Sequence, residues 1–162
     1  MSNVWRNHTK HVLVFSYAGK PIFSRYGELG AQSGIASVAT ALLMKSIELG
    51  DTLRTIRTDD CTVLILARGP LTLLAIIRTG ESLSAVTELL RAIHCHIIFV
   101  LTSKATQRLA DKPNFDLRGQ LVGTSGSMLN LIRYVPYTSC PVHFVSGLSL
   151  SYARCCCLCQ CL

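Results

Sequence analysis

A chain of 162 residues has the length of one domain with a short extension. Its 49% hydrophobic and 15% charged content excludes a disordered polymer and leaves apolar surface with few charges to cover it, which points to a buried interface. The formal charge of +7 favours acidic partners, but the Lys and Arg are scattered singly without interleaved aromatics, so nucleic-acid binding is not expected and a membrane surface or an acidic protein face remains.

Residues 1–9 read as a polar tail with no secretory leader, because the apolar run that follows is interrupted by Tyr17 and Lys20. Residues 11–17 and 21–26 are two strands rich in Val, Leu, Ile and Phe, joined by Ala18-Gly19-Lys20-Pro21. Residues 32–49 (QSGIASVATALLMKSIEL) predict a helix stopped by Gly50. Ile35, Val38, Ala39, Leu42 and Leu49 share one face; Ala36, Leu43 and Ile47 extend it, and Ala41 and Met44 widen it. A helix apolar over so much of its circumference is covered on two sides, either wholly within its own domain or by its domain and a partner.

Residues 51–58 alternate as an amphipathic strand near a sheet edge, and Asp59-Asp60 turns the chain. Residues 61–68 (CTVLILAR) and 71–78 (LTLLAIIR) flank Gly69-Pro70 and are apolar on both strand faces, so both faces of their sheet need cover. A second helix spans 81–101; Pro113 marks a break; a last helix over 115–134 is weakened by Gly119, Gly123 and Gly126. The order ββαβββα(α) gives an α/β fold: a five-stranded, mostly antiparallel sheet with helices on both faces, an α-β-α sandwich over residues 10–134. Residues 135–162 hold one charged residue, Arg154, and six of the eight cysteines, five of them within 155–161, and read as an irregular Cys-rich tail. The longest apolar runs, 61–67, 71–77 and 97–101, are far short of the ~20 residues of a spanning helix; a soluble, intracellular chain is expected.

Chemistry-bearing patterns are sparse. Cys155, Cys156, Cys157, Cys159 and Cys161 lack a second cysteine pair at zinc-site spacing. Lipidation, metal binding and an unstructured tail stay open there, the last leading. His94-Cys95-His96 falls on a helix, where residues two apart point to different sides. Cys61 and Cys95 read as small core residues. No phosphate loop, nucleophile elbow or zinc-protease motif is present. No catalytic residue, metal or cofactor is expected; the competing reading is a small α/β enzyme using Cys61, Cys95 or His94.

Three stretches carry a resemblance. They are KHVLVFSYAGKPIFSRYGE (10–28), TIRTDDCTVLILARGPLTLLAIIRTGES (55–82) and KPNFDLRGQLVGT (112–124), the last containing Asn114-Phe115-Asp116-Leu117-Arg118. Together they resemble the first longin (roadblock-related) domain of the vacuolar fusion protein family Mon-one, over about residues 10–133. The chain is similar to a shortened form, since the tail after Tyr134 departs from the family's continuation. The resemblance implies a longin fold and a subunit of the Mon-one–Ccz-one complex, a guanine nucleotide exchange factor for the late-endosomal Rab GTPase. That complex acts in endosome maturation, vesicle-mediated transport, vacuole fusion and autophagy, from the cytoplasm and peripherally on endosome or vacuole/lysosome membranes. It implies a Ccz-one-type longin subunit and the Rab as partners, with the basic charge adding peripheral contact to acidic or phosphoinositide membranes. Exchange of this kind needs no acid–base residue, because the factor favours the nucleotide-free GTPase. Ile35, Val38, Leu42 and Leu43 are the candidate partner-binding residues. The alternative is a longin trafficking adaptor without exchange activity.

Overall fold

The computed structural model describes residues 4–101 and 121–134. In chain order it contains β1 (Lys10–Ser16), β2 (Pro21–Ser24), α1 (Ser33–Glu48), β3 (Thr55–Arg57), β4 (Thr62–Arg68), β5 (Leu71–Ile77), α2 (Leu83–Val100) and α3 (Ser125–Tyr134). The five strands form one sheet in the order β2-β1-β5-β4-β3, and every neighbouring pair is antiparallel. β1 and β5 are buried along their whole length, as Val-, Leu- and Ile-rich strands covered on both faces are. Pro21, which has no N–H for a ladder, opens the edge strand β2.

Alternation along the strands sorts the core into two layers. Leu13, Phe15, Ile65, Leu74 and Ile76 face α1 and meet Ala36, Ala39 and Leu43. Val12, Val14, Leu64, Leu73 and Ala75 face the other way and meet Val86, Leu89, Leu90, Ile93 and Ile97 of α2, with Met128 and Ile132 of α3. The register holds this in step: Leu13 lies opposite Leu74, and Leu74 opposite Ile65. The α-β-α sandwich predicted from element order is the observed architecture. α2 is long and apolar enough to cross a membrane by length and composition, yet Val86, Leu89, Leu90, Ile93 and Ile97 are packed in the core layer, which makes it a core helix.

The differences lie at element ends. β3 is three residues long rather than the eight of 51–58, because the preceding backbone is spent on the end of α1. Asp51 N–H donates to the Ser46 carbonyl at 2.9 Å, and Leu53 N–H to the Ser46 hydroxyl at 3.3 Å. α2 begins at Leu83, with Ser82 still extended and Glu81 turned to pair with the buried Lys10. The last helix is seen from Ser125, after a 3-10 turn at Val122–Thr124; the first part of its expected span, the Asn114-Phe115-Asp116-Leu117-Arg118 stretch and the Cys-rich tail at 135–162 lie outside the described residues. The stretch expected as a polar N-terminal tail is tied down from Val4: Val4–Asn7 is a 3-10 turn, Trp5 packs on the α1-side core, and the Arg78 guanidinium donates to the Arg6 carbonyl at 2.6 Å.

Candidate partner-binding face

α1 seats on the sheet through a narrow line of small and medium residues, Ala36, Ala39 and Leu43. The β1–β2 turn comes up against the same helix. Gly19 has φ +79°, and a Cβ there would stand 3.1 Å from Thr40 Oγ1 and 3.7 Å from the Ala36 carbonyl oxygen. Only glycine meets both demands, a left-handed backbone and a near-contact with a helix. From the same turn Tyr17 donates its hydroxyl to Met44 Sδ at 3.1 Å.

One flank of α1 exposes apolar side chains to solvent. Val38 is 61% exposed, Leu42 44% and Leu49 74%, with Ala41 exposed beside them. Val38 and Leu42 stand at i and i+4 as a stripe on one helix face, and Leu49, the C-cap, falls on the same row at i+11 beyond Lys45, which is exposed and paired with Glu48 at 2.9 Å. Of the four residues predicted from sequence, Val38 and Leu42 stand on this stripe, and Ile35 is half-buried at its edge, packed against the α1-side core. Leu43 is a correction. It is 8% exposed, lies under the helix among Leu13, Phe15, Ile65, Leu74 and Ile76, and has no surface to offer a partner. The 100° step from Leu42 to Leu43 carries it from the outer flank to the sheet.

Near the N-terminus of α1 stands a cluster that sequence reading missed. His8 stacks on Tyr26 with ring centroids 3.5 Å apart, and Trp5 stacks on His11 at 5.8 Å. Three guanidiniums cover these rings: Arg6 and Arg78 each lie 5.5 Å from the Trp5 centroid, and Arg25 lies 4.9 Å from that of Tyr26. Gln32, which precedes α1, donates its side-chain amide to the Tyr26 carbonyl at 3.4 Å and joins the cluster to the helix. The signal was present in VWRNHTKH, an alternation of aromatic and basic residues over 4–11, but the partners Tyr26, Arg25 and Arg78 are brought in by pairing of distant strands.

Burial pushes the His11 imidazole down to about 4. The Gln32 side chain offsets this in part, although no well-formed hydrogen bond reaches either His11 ring nitrogen. Such a histidine is neutral and structural at physiological pH. His94 and His96 are also lowered by burial, His94 further by Arg68. The sheet separates Cys61, on the α1 side, from α2, which carries His94 and the buried Cys95. Cys61 Sγ lies 3.3 Å from Thr58 Oγ1 in the β3–β4 turn. Among the described residues no three His, Cys, Asp or Glu side chains are placed to hold a metal. The surface offers contact: an apolar stripe and a cationic cluster.

Comparison with known proteins assigns the chain. Residues 10–131 match the family described as the first longin domain of FUZ, MON1 and HPS1. Vacuolar fusion protein MON1 homolog B of Homo sapiens is 40% identical over 129 residues, 79% of this chain and 24% of that protein. Protein SAND of Takifugu rubripes is 37% identical over 132 residues, 81% of this chain and 25% of that protein. Vacuolar fusion protein MON1 homolog A of Bos taurus is 35% identical over 133 residues, 82% of this chain and 24% of that protein. The chain thus spans about a quarter of the length of these relatives. With the strand order and both helical layers in place, the chain belongs to the family of the first longin domain of FUZ, MON1 and HPS1.

Proposed function

We propose that this chain is a longin subunit of a Rab guanine nucleotide exchange factor of the Mon-one–Ccz-one type. It acts on the late-endosomal Rab GTPase in endosome maturation, vesicle-mediated transport, vacuole fusion and autophagy. The observation that carries the reading is the exposed apolar stripe of α1, Val38, Leu42 and Leu49, on a domain of the FUZ, MON1 and HPS1 first-longin family. A Ccz-one-type longin subunit seats on that stripe, and the Rab docks across the pair. No side chain here performs bond chemistry; the pair accelerates release by binding the nucleotide-free Rab more tightly than the loaded one. The subunit works from the cytoplasm, peripherally on endosome or vacuole/lysosome membranes, and its basic charge supports contact with acidic or phosphoinositide lipids.

The test is release of a fluorescent GDP analogue from the late-endosomal Rab, first with this chain, then with the Ccz-one longin subunit added. Faster release in the mixture only is the expected result. A pair that binds without acceleration would favour the second reading, a longin trafficking adaptor without exchange activity. Two chains that do not bind would refute both.

A further inference from the structure

The cluster at the N-terminal end of α1 is positively charged. Arg6 is exposed, and Arg25 and Arg78 are half-buried. The described ion pairs use Lys10, Lys45 and Arg91, and none of the three arginines of the cluster joins a carboxylate among the described residues. Arg25 and Arg78 each use one guanidinium nitrogen, Nη1, on backbone carbonyls, Arg25 on Lys10 at 3.3 Å and Arg78 on both Arg6 and His8. A guanidinium has five N–H donors in a planar fork, so most of them remain for an outside acceptor.

We propose that this cluster receives an acidic segment of the subunit that seats on α1, carboxylates pairing with Arg6, Arg25 and Arg78 while the apolar stripe is covered. The inference rests on the pairing reading of the preceding section and adds the partner's charge and its orientation. Placement supports it. Trp5 and Ile35 pack against the same core layer and Gln32 ties Tyr26 to the start of α1, so the cluster and the stripe lie on the same side of the sheet. Shape favours a protein over a bilayer. Trp5 and Tyr26 are half-buried, stacked on histidines and covered by arginines, not projecting as an aromatic anchor must. Arginines resting on aromatic faces are held for bidentate carboxylate recognition at little entropic cost.

A charged rim on an apolar interface acts chiefly on encounter and register. The experiment measures association and dissociation of the full chain with the Ccz-one-type longin subunit at about 50 mM and about 300 mM NaCl, where screening lengths differ roughly twofold or more. Wild type should associate more slowly as salt rises. The double variant R6E/R25E should associate roughly tenfold more slowly at low salt, lose most of the salt dependence and keep its dissociation rate. R6K/R25K should recover most of the rate, and equal thermal melts of the variants should exclude misfolding. R6E/R25E pairing like wild type, while V38D/L42D fails to pair, would overturn the acidic-segment proposal and leave the α1 reading standing. Both variants pairing like wild type would overturn both, as would a wild-type chain that does not pair. Normal pairing by R6E/R25E with lost sedimentation on phosphatidylcholine vesicles containing phosphatidylinositol 3-phosphate would reassign the cluster to lipid and overturn it as a protein site.

Discussion

Leu42 and Leu43 are neighbours in sequence with opposite environments, and truncating each to alanine separates folding from pairing. Leu43 is 8% exposed and packed in the layer with Leu13, Phe15, Ile65, Leu74 and Ile76. Leu→Ala at such a site removes buried area and leaves a cavity, a loss of about 2–5 kcal/mol. Here about 3 kcal/mol is expected, because the site lies at the margin between helix and sheet and relaxes partly. With a urea m-value of ~1.5–2 kcal/mol/M, the unfolding midpoint of Leu43→Ala should fall by roughly 1.5–2 M. Leu42 is 44% exposed, and alanine is the better helix former, so Leu42→Ala should move stability by less than about 1 kcal/mol. Pairing should respond the other way. Leu42→Ala should weaken partner binding about tenfold if the residue sits centrally in the contact. The assays are urea unfolding followed by tryptophan fluorescence and titration against the partner subunit. A Leu43→Ala midpoint equal to wild type would refute the seating of α1 on the sheet through this residue. Equal destabilisation by Leu42→Ala would show that the stripe is covered within the chain.

Gly19→Ala combines a φ of +79° with a Cβ 3.1 Å from Thr40 Oγ1, whereas Gly50→Ala meets a φ of +74° and no neighbour within 4 Å. Gly19→Ala should cost about 2 kcal/mol and Gly50→Ala about 1 kcal/mol, read as the larger and smaller drop in thermal midpoint. His11, His94 and His96 all titrate below their ordinary value in the folded chain. The unfolded chain therefore takes up their protons first, so stability is full above about pH 6.5 and declines as pH falls toward 4. For His11, held at about 4, the loss by pH 5 is of order 2 kcal/mol. Urea midpoints at pH 7.5 and 5 should show it, and His11→Phe should flatten the difference. Replacing Glu81 by Gln strands the buried Lys10 ammonium and should lower the thermal midpoint by the equivalent of about 3 kcal/mol, while a doubly neutral Lys10→Met, Glu81→Gln chain recovers part of it.

Pattern made the layers legible. Strands apolar on both faces, such as β5, which is buried along its whole length, and the order of elements pointed to a two-faced sheet, and the A-G-K-P turn and later stretches pointed to the longin family. What failed to show was direction at single positions. A helix with apolar residues on nearly every side gives no phase, so Leu43 and Leu42 look equivalent until the sheet selects Ala36, Ala39 and Leu43 for contact. β3 was overextended because alternation in residues 51–58 does not reveal that Ser46 takes their backbone donors. The N-terminal cluster was invisible for a different reason. Trp5, His11, Tyr26 and Arg78 meet only because β1 pairs with β5 and β2 follows β1, and a local window sees four unrelated residues.

The choice of small residues beneath α1 bears on what its outer side can do. Alanine at 36 and 39 lets the helix approach the sheet closely, close enough for the Gly19 turn to touch Thr40, since interaxial distance follows side-chain size at the contact. A helix held down in this way at its middle is fixed in rotation, and Val38 and Leu42 cannot turn inward to hide from water. Their exposure is thus built into the packing rather than a consequence of a loose helix. Enlarging the contact should undo it. Ala39→Leu forces the helix up or around and costs about 1–3 kcal/mol. It should reduce partner binding as much as Leu42→Ala does, although residue 39 touches no partner. Partner binding by Ala39→Leu at wild-type strength would show that α1 rotation is not what presents the stripe.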